Sequence, residues 1–238
     1  MKDQYFGDIN DYRKYGLLRL LAGTGLAVGV CWMLTHDDGG SDGELRNYLS
    51  KPERWRKYDP ELYDRLQMLQ QPGVRRSVQC APAWQLVPRA TYFDQLITDG
   101  ARQRDGYFRA AFETLRECQI LFFDPDNGIE VQSVGRGKRG SARYIYWGEL
   151  REAYGSGHSL LVYQHFPRVE RAQFVPFLAN CLREELRAEH VAGFATPYVA
   201  FFLVHQTGHR TLLEKVAEAV HSRWRGQIQA WPKIEPAL

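Results

Sequence analysis

Val28-Gly29-Val30-Cys31-Trp32-Met33-Leu34-Thr35-His36 is the stretch that decides how this chain is read. Val28, Val30, Trp32 and Leu34 alternate with Gly29, Cys31 and Met33, so neither face of the segment is polar. That pattern predicts a strand buried on both sides and central in a parallel sheet. Before it, Leu17, Leu18, Leu20 and Leu21 recur at helical spacing; Asn10 or Asp11 can cap that helix, and Gly23-Thr24-Gly25 stops it. After it comes a polar loop, His36-Asp37-Asp38-Gly39-Gly40-Ser41-Asp42-Gly43.

Working outward, a second apolar run, Ile120-Leu121-Phe122-Phe123, ends at Asp124-Pro125-Asp126-Asn127-Gly128. A helix over 105–117 precedes it, capped by Asp105, with Phe108, Ala111, Phe112 and Leu115 on one face. Tyr144-Ile145-Tyr146-Trp147 leads to a helix around 150–154, and a strand over 159–163 runs into Gln164-His165-Phe166-Pro167-Arg168. A long helix over 170–190, two strands over 194–196 and 198–205 split by Pro197, and a helix over 209–224 complete the order. Residues 44–71 carry helical patterning broken by Pro52 and Pro60, ending at Pro72-Gly73. Between 74 and 100 the pattern is weakest: 74–79 reads as a strand, and Pro82 and Pro88 interrupt the residues after it. The order predicts an α/β sandwich with a mostly parallel sheet and room for an antiparallel edge, a single domain over 1–238 with a small helical insertion over 44–72.

With 238 residues, 44% of them hydrophobic and 25% charged, wholesale disorder, collagen-like repeats and a coiled-coil rod are excluded. The longest apolar run, 26–34, is far short of the roughly 20 residues a membrane span needs, and the N-terminus carries no apolar signal region. A cytoplasmic protein with no membrane partner is expected. Cys31, Cys80, Cys118 and Cys181 form no Cys-x-x-Cys pair, so reduced, mostly buried thiols are expected. The net charge of +3 is a weak signal for nucleic acid. Arg54, Arg56 and Lys57 around Trp55, and the pair Arg75-Arg76, read as solvated faces. Arg136, Lys138, Arg139 and Arg143 are interleaved with glycines and read equally as a solvated face or a phosphate-contacting loop.

Ligands of such sheets bind beyond the carboxyl ends of the strands. One strand here ends in His36, Asp37, Asp38 and Asp42, another in Asp124, Asp126 and Asn127, a third in Gln164, His165 and Arg168, which suggests one convergent site. Asp124 directly follows four apolar residues, where a carboxylate costs free energy unless it faces a ligand, a metal or backbone donors. Asn127-Gly128 is also a strong hairpin-turn dipeptide, His165 reads equally as a core histidine, and Asp37 to Gly40 has the bland reading of a polar turn.

These motifs carry a resemblance. Gly7-Asp8-Ile9-Asn10-Asp11-Tyr12-Arg13-Lys14-Tyr15 before a leucine-rich helix, and the strand ending Thr35-His36-x-x-Gly39, resemble the start of the RlmJ-like 23S ribosomal RNA adenine-N6 methyltransferases, which open with Gly-x-x-Ala-Asp-x-x-Lys-His and a strand ending Thr-His-Ala-Gly-Ala-Gly. Leu121-Phe122-Phe123-Asp124-Pro125-Asp126-Asn127 stands where that family has Asp-Pro-Pro-Tyr, and Tyr163-Gln164-His165-Phe166-Pro167 where it has Trp-Tyr-Pro. The likeness covers most of the chain in element order and rests on few identical residues.

The resemblance implies a Rossmann-like, methyltransferase-type three-layer sandwich. It implies S-adenosylmethionine beside His36, Asp38, Gly39 and Gly40, and a catalytic group of Asp124, Asp126, Asn127 and His165 acting on an amino group in nucleic acid. Asp124 would accept a hydrogen bond from the exocyclic amine, so that catalysis is largely positioning. Arg136, Lys138, Arg139, Arg143 and Arg168 would hold phosphate. The chain departs from the family in two places: Asp37 and Asp38 replace small residues of the glycine-rich loop, and Asp126-Asn127 replaces Pro-Tyr, which removes the ring that stacks on the target base. Taken at face value, the carboxylates Asp37, Asp38, Asp42, Asp124 and Asp126 are hard oxygen ligands suited to Mg2+ or Mn2+, with His165 as base. That reading is a divalent-metal nuclease or phosphoesterase on the same scaffold. The third reading is a nucleic-acid-binding relative without catalysis.

Overall fold

The computed structural model describes residues 1–40 and 43–231. The leucine-rich helix α1 spans Ile9–Ala22 and leads to β1, Val28–Cys31. Three short helices follow, α2 (Pro52–Trp55), α3 (Pro60–Leu66) and α4 (Cys80–Ala83), the first two each beginning at a proline, which suits the first helical turn. Next come β2 (Thr91–Phe93), α5 (Ala101–Leu115), β3 (Ile120–Phe123), and the two-residue strands β4 (Gly128–Ile129) and β5 (Tyr144–Ile145). The chain continues through α6 (Trp147–Gly155), β6 (Ser159–His165), α7 (Arg171–Leu186), β7 (Val191–Ala195), β8 (Val199–Val204), α8 (Arg210–Arg223) and β9 (Gln229–Trp231).

Seven strands form one sheet in the order β2-β1-β3-β6-β8-β7-β9, while β4 and β5 pair apart from it. From β2 through β6 every pairing is parallel, and β1 and β3 are adjacent inner strands in the register Val28↔Ile120 to Cys31↔Phe123. Beyond β6 the sheet turns antiparallel, and the reversal goes deeper than an edge: β8 lies between β6 and β7. The cause is the connection. Residues 196–198 join β7 to β8 in a tight turn, with the Thr196 hydroxyl accepting from the backbone N–H of Tyr198 and Val199, and so short a link permits only antiparallel neighbours.

Period-two patterning divides the core. Val28, Val30, Trp32, Ile120, Phe122, Leu161, Phe201 and Leu203 pack with α1, α3 and α8. Cys31, Met33, Leu121, Phe123, Leu160, Val162 and Phe202 pack with α5, α6 and α7 on the opposite face. Each fully buried side chain of this size contributes about 1.5–3 kcal/mol. Helix α1 comes close to the start of the segment after α8 because residue 16 is glycine: a Cβ there would lie 2.0 Å from the Trp224 ring.

Several local expectations need correcting. Residues 74–79 form no strand, and the strand beside β1 is Thr91–Phe93. Helix α1 is capped by Asp8 rather than Asn10 or Asp11, and α5 by Gly100, so Asp105 falls inside the helix. Strand β1 stops at Cys31, because Met33 takes a left-handed φ of 45° and leaves Leu34 only an isolated bridge to Leu96. Among the described residues no helix is long and apolar enough to cross a membrane.

Candidate functional site

Helix α1 is enclosed around most of its circumference, and Asp11, Arg13 and Lys14 are buried with Tyr12, Tyr15 and Leu18. Charges so placed must find partners within the fold. The Lys14 ammonium, its side chain 4% exposed, lies 2.6 Å from Asp11 Oδ1 and 2.7 Å from Asp124 Oδ2. Asp11 Oδ2 accepts from the Gly7 N–H at 2.9 Å, and Asp8 Oδ1 caps the helix by accepting from the N–H of Asn10 and Asp11. Lys14 thereby ties α1 to the end of β3.

Between the ends of β1 and β3 lies Met1. Its ammonium donates to the carbonyls of Asp124 at 2.9 Å and Met33 at 3.3 Å, and pairs with Asp126 Oδ1 at 2.7 Å. The left-handed turn at Met33 thus has its carbonyl at the ammonium. Asp126 Oδ2 accepts from the Thr35 hydroxyl at 2.7 Å. This is the point where the connections from β1 and β3 diverge to opposite halves of the sheet, the place where open α/β sheets bind ligands.

A cavity of about 300 Å3 opens beside this network. Asp8, Asn10, Asp11 and Lys14 line it from the N-cap and first turns of α1, Asp124, Pro125 and Asp126 from beyond β3, Tyr163 and His165 from β6, and Tyr198 and Val199 from the turn into β8. Four carboxylates face two cations, Lys14 and the Met1 ammonium, so the cavity is electronegative. Burial pushes the Asp11 carboxyl up to about 7 even with Lys14 against it, and burial raises Asp8 as well. Burial alone would also raise Asp126, but the Met1 ammonium and the Thr35 hydroxyl bring it below the ordinary carboxylate value. Burial likewise works against the Lys14 ammonium, and the charges of Asp11 and Asp124 more than reverse it. Burial and the neighbouring Asp124 raise the Tyr163 phenol well above its usual value. Asn10 Oδ1 is buried with no donor among the described residues.

The structure brings Asp124, Asp126 and His165 together in this cavity. Asn127 does not line it: its N–H donates to the Arg143 carbonyl, and its own carbonyl receives the His165 N–H. Nor do His36, Asp38, Gly39 and Gly40 line it. The Lys2 ammonium lies 2.5 Å from Asp38 Oδ2, and Asp38 also accepts from Gln4 Nε2 and the Gly40 N–H, so its carboxyl is held below the usual range by Lys2, Gly40 and Gln4. Asp37 accepts from the Gln4 N–H. The loop is therefore tied to residues 2–4 at the rim, where neighbouring Tyr5 and Gly43 do reach the cavity. Asp42 lies outside the described residues.

Of the carboxylates read as metal ligands, Asp124 and Asp126 share the cavity, Asp37 is held at its rim by Gln4 and Asp38 by Lys2 and Gln4, and Lys14 occupies the space between Asp11 and Asp124. Among the described residues no group of three or more His, Cys, Asp or Glu is placed to hold a metal ion. Of the basic set, Arg136 is engaged with Asp105 and with Glu149 at 3.3 Å. Lys138, Arg139, Arg143 and Arg168 are not buried, and none of them forms an ion pair among the described residues that would hold it away from a ligand.

Asp8, Asn10, Asp11, Lys14 and Met1 were not among the site residues expected from the sequence. Their signal was present: three charges at 11, 13 and 14 set among Tyr12, Tyr15 and a leucine run cannot all reach solvent. No protein-family model and no curated protein matches this chain, so the site rests on its own geometry.

Proposed function

We propose that this chain is an S-adenosylmethionine-dependent methyltransferase-like protein, of Rossmann-like layout, acting on an amino group in nucleic acid. The observation that carries the reading is the convergence of Asp124, Asp126 and His165 with the α1 carboxylates in one electronegative cavity at the sheet's switch point. Such a cavity favours ligands that bring positive charge or N–H and O–H donors, and the donor-less Asn10 Oδ1 awaits one. The sulfonium, ammonium and ribose hydroxyls of S-adenosylmethionine meet that description, as does the exocyclic amine of a base. When bound, the cofactor supplies an electrophilic methyl group. Asp8, Asn10 and Asp126, with His36, Asp38, Gly39 and Gly40 at the rim, are the residues that would hold it. Asp124, fixed by Lys14, accepts a hydrogen bond from the amine and orients its lone pair, while Tyr163 lines the cavity beside the base. Lys138, Arg139, Arg143 and Arg168, all exposed, are the expected phosphate-holding residues, although none of them lines the cavity. The divalent-metal reading gains no observation of its own, because Asp124 and Asp126 are already paired with Lys14 and the Met1 ammonium.

The test is transfer of labelled methyl from S-adenosylmethionine to RNA and DNA. The folded Asp124→Asn variant keeps an acceptor for Lys14 and is expected to lose transfer by about 100-fold or more. Absence of transfer by the wild-type chain to any nucleic acid, with binding intact, would leave the non-catalytic reading.

A further inference from the structure

An electronegative cavity admits a base but repels a phosphate, so a nucleic acid using it must have its backbone held elsewhere. A basic surface lies one turn away. Thr196 and Pro197 of the β7–β8 turn line a second cavity of about 750 Å3, while Tyr198 and Val199, the next residues, line the first. Arg171, at the start of α7, and His221 and Arg225, at and beyond the end of α8, face this second cavity, and its described lining contains no Asp or Glu. Arg171 stacks on the Phe166 ring at 5.0 Å, which orients a guanidinium that has no carboxylate partner among the described residues.

A further cation, Arg13, lies against the Tyr198 ring of the turn. Arg13 is 4% exposed, has its guanidinium 5.8 Å from the rings of both Trp55 and Tyr198, and forms no ion pair among the described residues. Its Nη2 donates to Gln227 Oε1 at 2.8 Å, Gln227 itself lines the basic cavity, and Arg13 Nε and Nη1 have no hydrogen-bond partner among the described residues. The Asp8 carboxylate acts on this guanidinium only at a distance, without a direct ion pair among the described residues, so Arg13 keeps positive charge under the turn that separates the two cavities. Above it Tyr198, 46% exposed, presents a ring to solvent.

We propose that a single-stranded nucleic acid crosses the Thr196–Tyr198 turn, with one nucleotide in the carboxylate cavity, its neighbour stacked on Tyr198, and the adjoining phosphates in the groove of Arg171, His221 and Arg225. The strand is single because a base paired inside a duplex could not enter a cavity walled by α1 and the strand ends. The placement of the reactive nucleotide rests on the function proposed above; the groove's affinity for phosphodiester does not.

Fluorescence anisotropy of labelled RNA and DNA single strands, titrated from about 50 to about 200 mM salt without cofactor, tests the two separately. The Arg171→Ala/Arg225→Ala variant is expected to lower the salt slope by about 1.4, two phosphate contacts' worth for a single strand. Tyr198→Ala is expected to weaken binding about tenfold, the loss of one stacked base. A matching duplex binds more weakly. No binding by the wild type at low salt, unchanged slope and affinity in the groove variants, or a slope lowered instead by Lys138→Ala/Arg139→Ala would each overturn the inference. Normal strand binding without methyl transfer would refute the function and leave the groove standing.

Discussion

Removing the Lys14 ammonium leaves Asp11 and Asp124 buried with nothing between them. Both ion-pair distances, 2.6 and 2.7 Å, are short, and all three side chains are within a few per cent of full burial. Lys14→Met retains most of the volume and deletes only the charge. Breaking a buried pair by removing one partner costs about 3–5 kcal/mol, and in a domain of this length each kcal/mol lowers Tm by about 2–4 °C, so Tm is expected to fall by roughly 6–20 °C. The pH dependence carries more information. Asp11 already titrates at about 7 in the fold, above its unfolded value, so the folded state holds more protons than the unfolded one and stability falls as pH rises toward 7. Without Lys14 that carboxyl rises further, and the deficit of the variant widens as pH goes from about 6 to about 9. Urea unfolding of both proteins across that range measures it. A loss below about 1 kcal/mol, or one independent of pH, would mean that the carboxylates are solvated and that Lys14 does not organise the site.

Three further outcomes rest on other contacts of the fold. Burial depresses the His205 imidazole to about 4, so its folded pKa lies below the unfolded value and stability is lost as pH falls from about 6.5 to about 4; His205→Phe should flatten that part of the acid limb in thermal unfolding. Gly128 has φ +116° and a Cβ there would meet Gln164 Oε1, the atom that receives the Ile129 N–H, so Gly128→Ala is expected to destabilise by about 1–3 kcal/mol in urea unfolding. Arg104, with no exposed surface, grips Glu149 in two bonds and the carbonyls of Ser141 and Tyr144; Arg104→Met should cost about 3–5 kcal/mol and speed limited proteolysis within residues 130–143.

The central strands were legible because Val28 to Cys31 and Ile120 to Phe123 are apolar on both faces, a pattern that fits only an inner position. Strand β2 was not, since Thr91-Tyr92-Phe93 is three residues at an edge with one side chain fully buried, too short to show a period. The reversal at β8 was half visible: Pro197 marked the turn, but nothing local says that the second strand inserts between β6 and β7 rather than adding at the edge. For the site, Asp124 was found because an acid ending an apolar strand is expensive. The chain partners that make it tolerable, Lys14 and Asp11, come from residues more than a hundred positions earlier, and that pairing is visible only in three dimensions. The loop of Asp37 and Asp38 read in sequence either as a polar turn or as a ligand contact, and its bonds to Lys2 and Gln4 at the rim of the cavity are visible only in three dimensions.

The central claim is that the cavity beside Lys14 and Asp126 receives S-adenosylmethionine. Isothermal calorimetry of the wild-type chain and of Asp126→Asn at neutral pH and low salt measures this without any nucleic acid present. Saturable one-to-one binding by the wild type, weakened about tenfold or more when the Asp126 charge is removed, is the predicted result. An absence of binding heat and of any thermal-shift response in the wild type, or equal affinity in the two proteins, would contradict it.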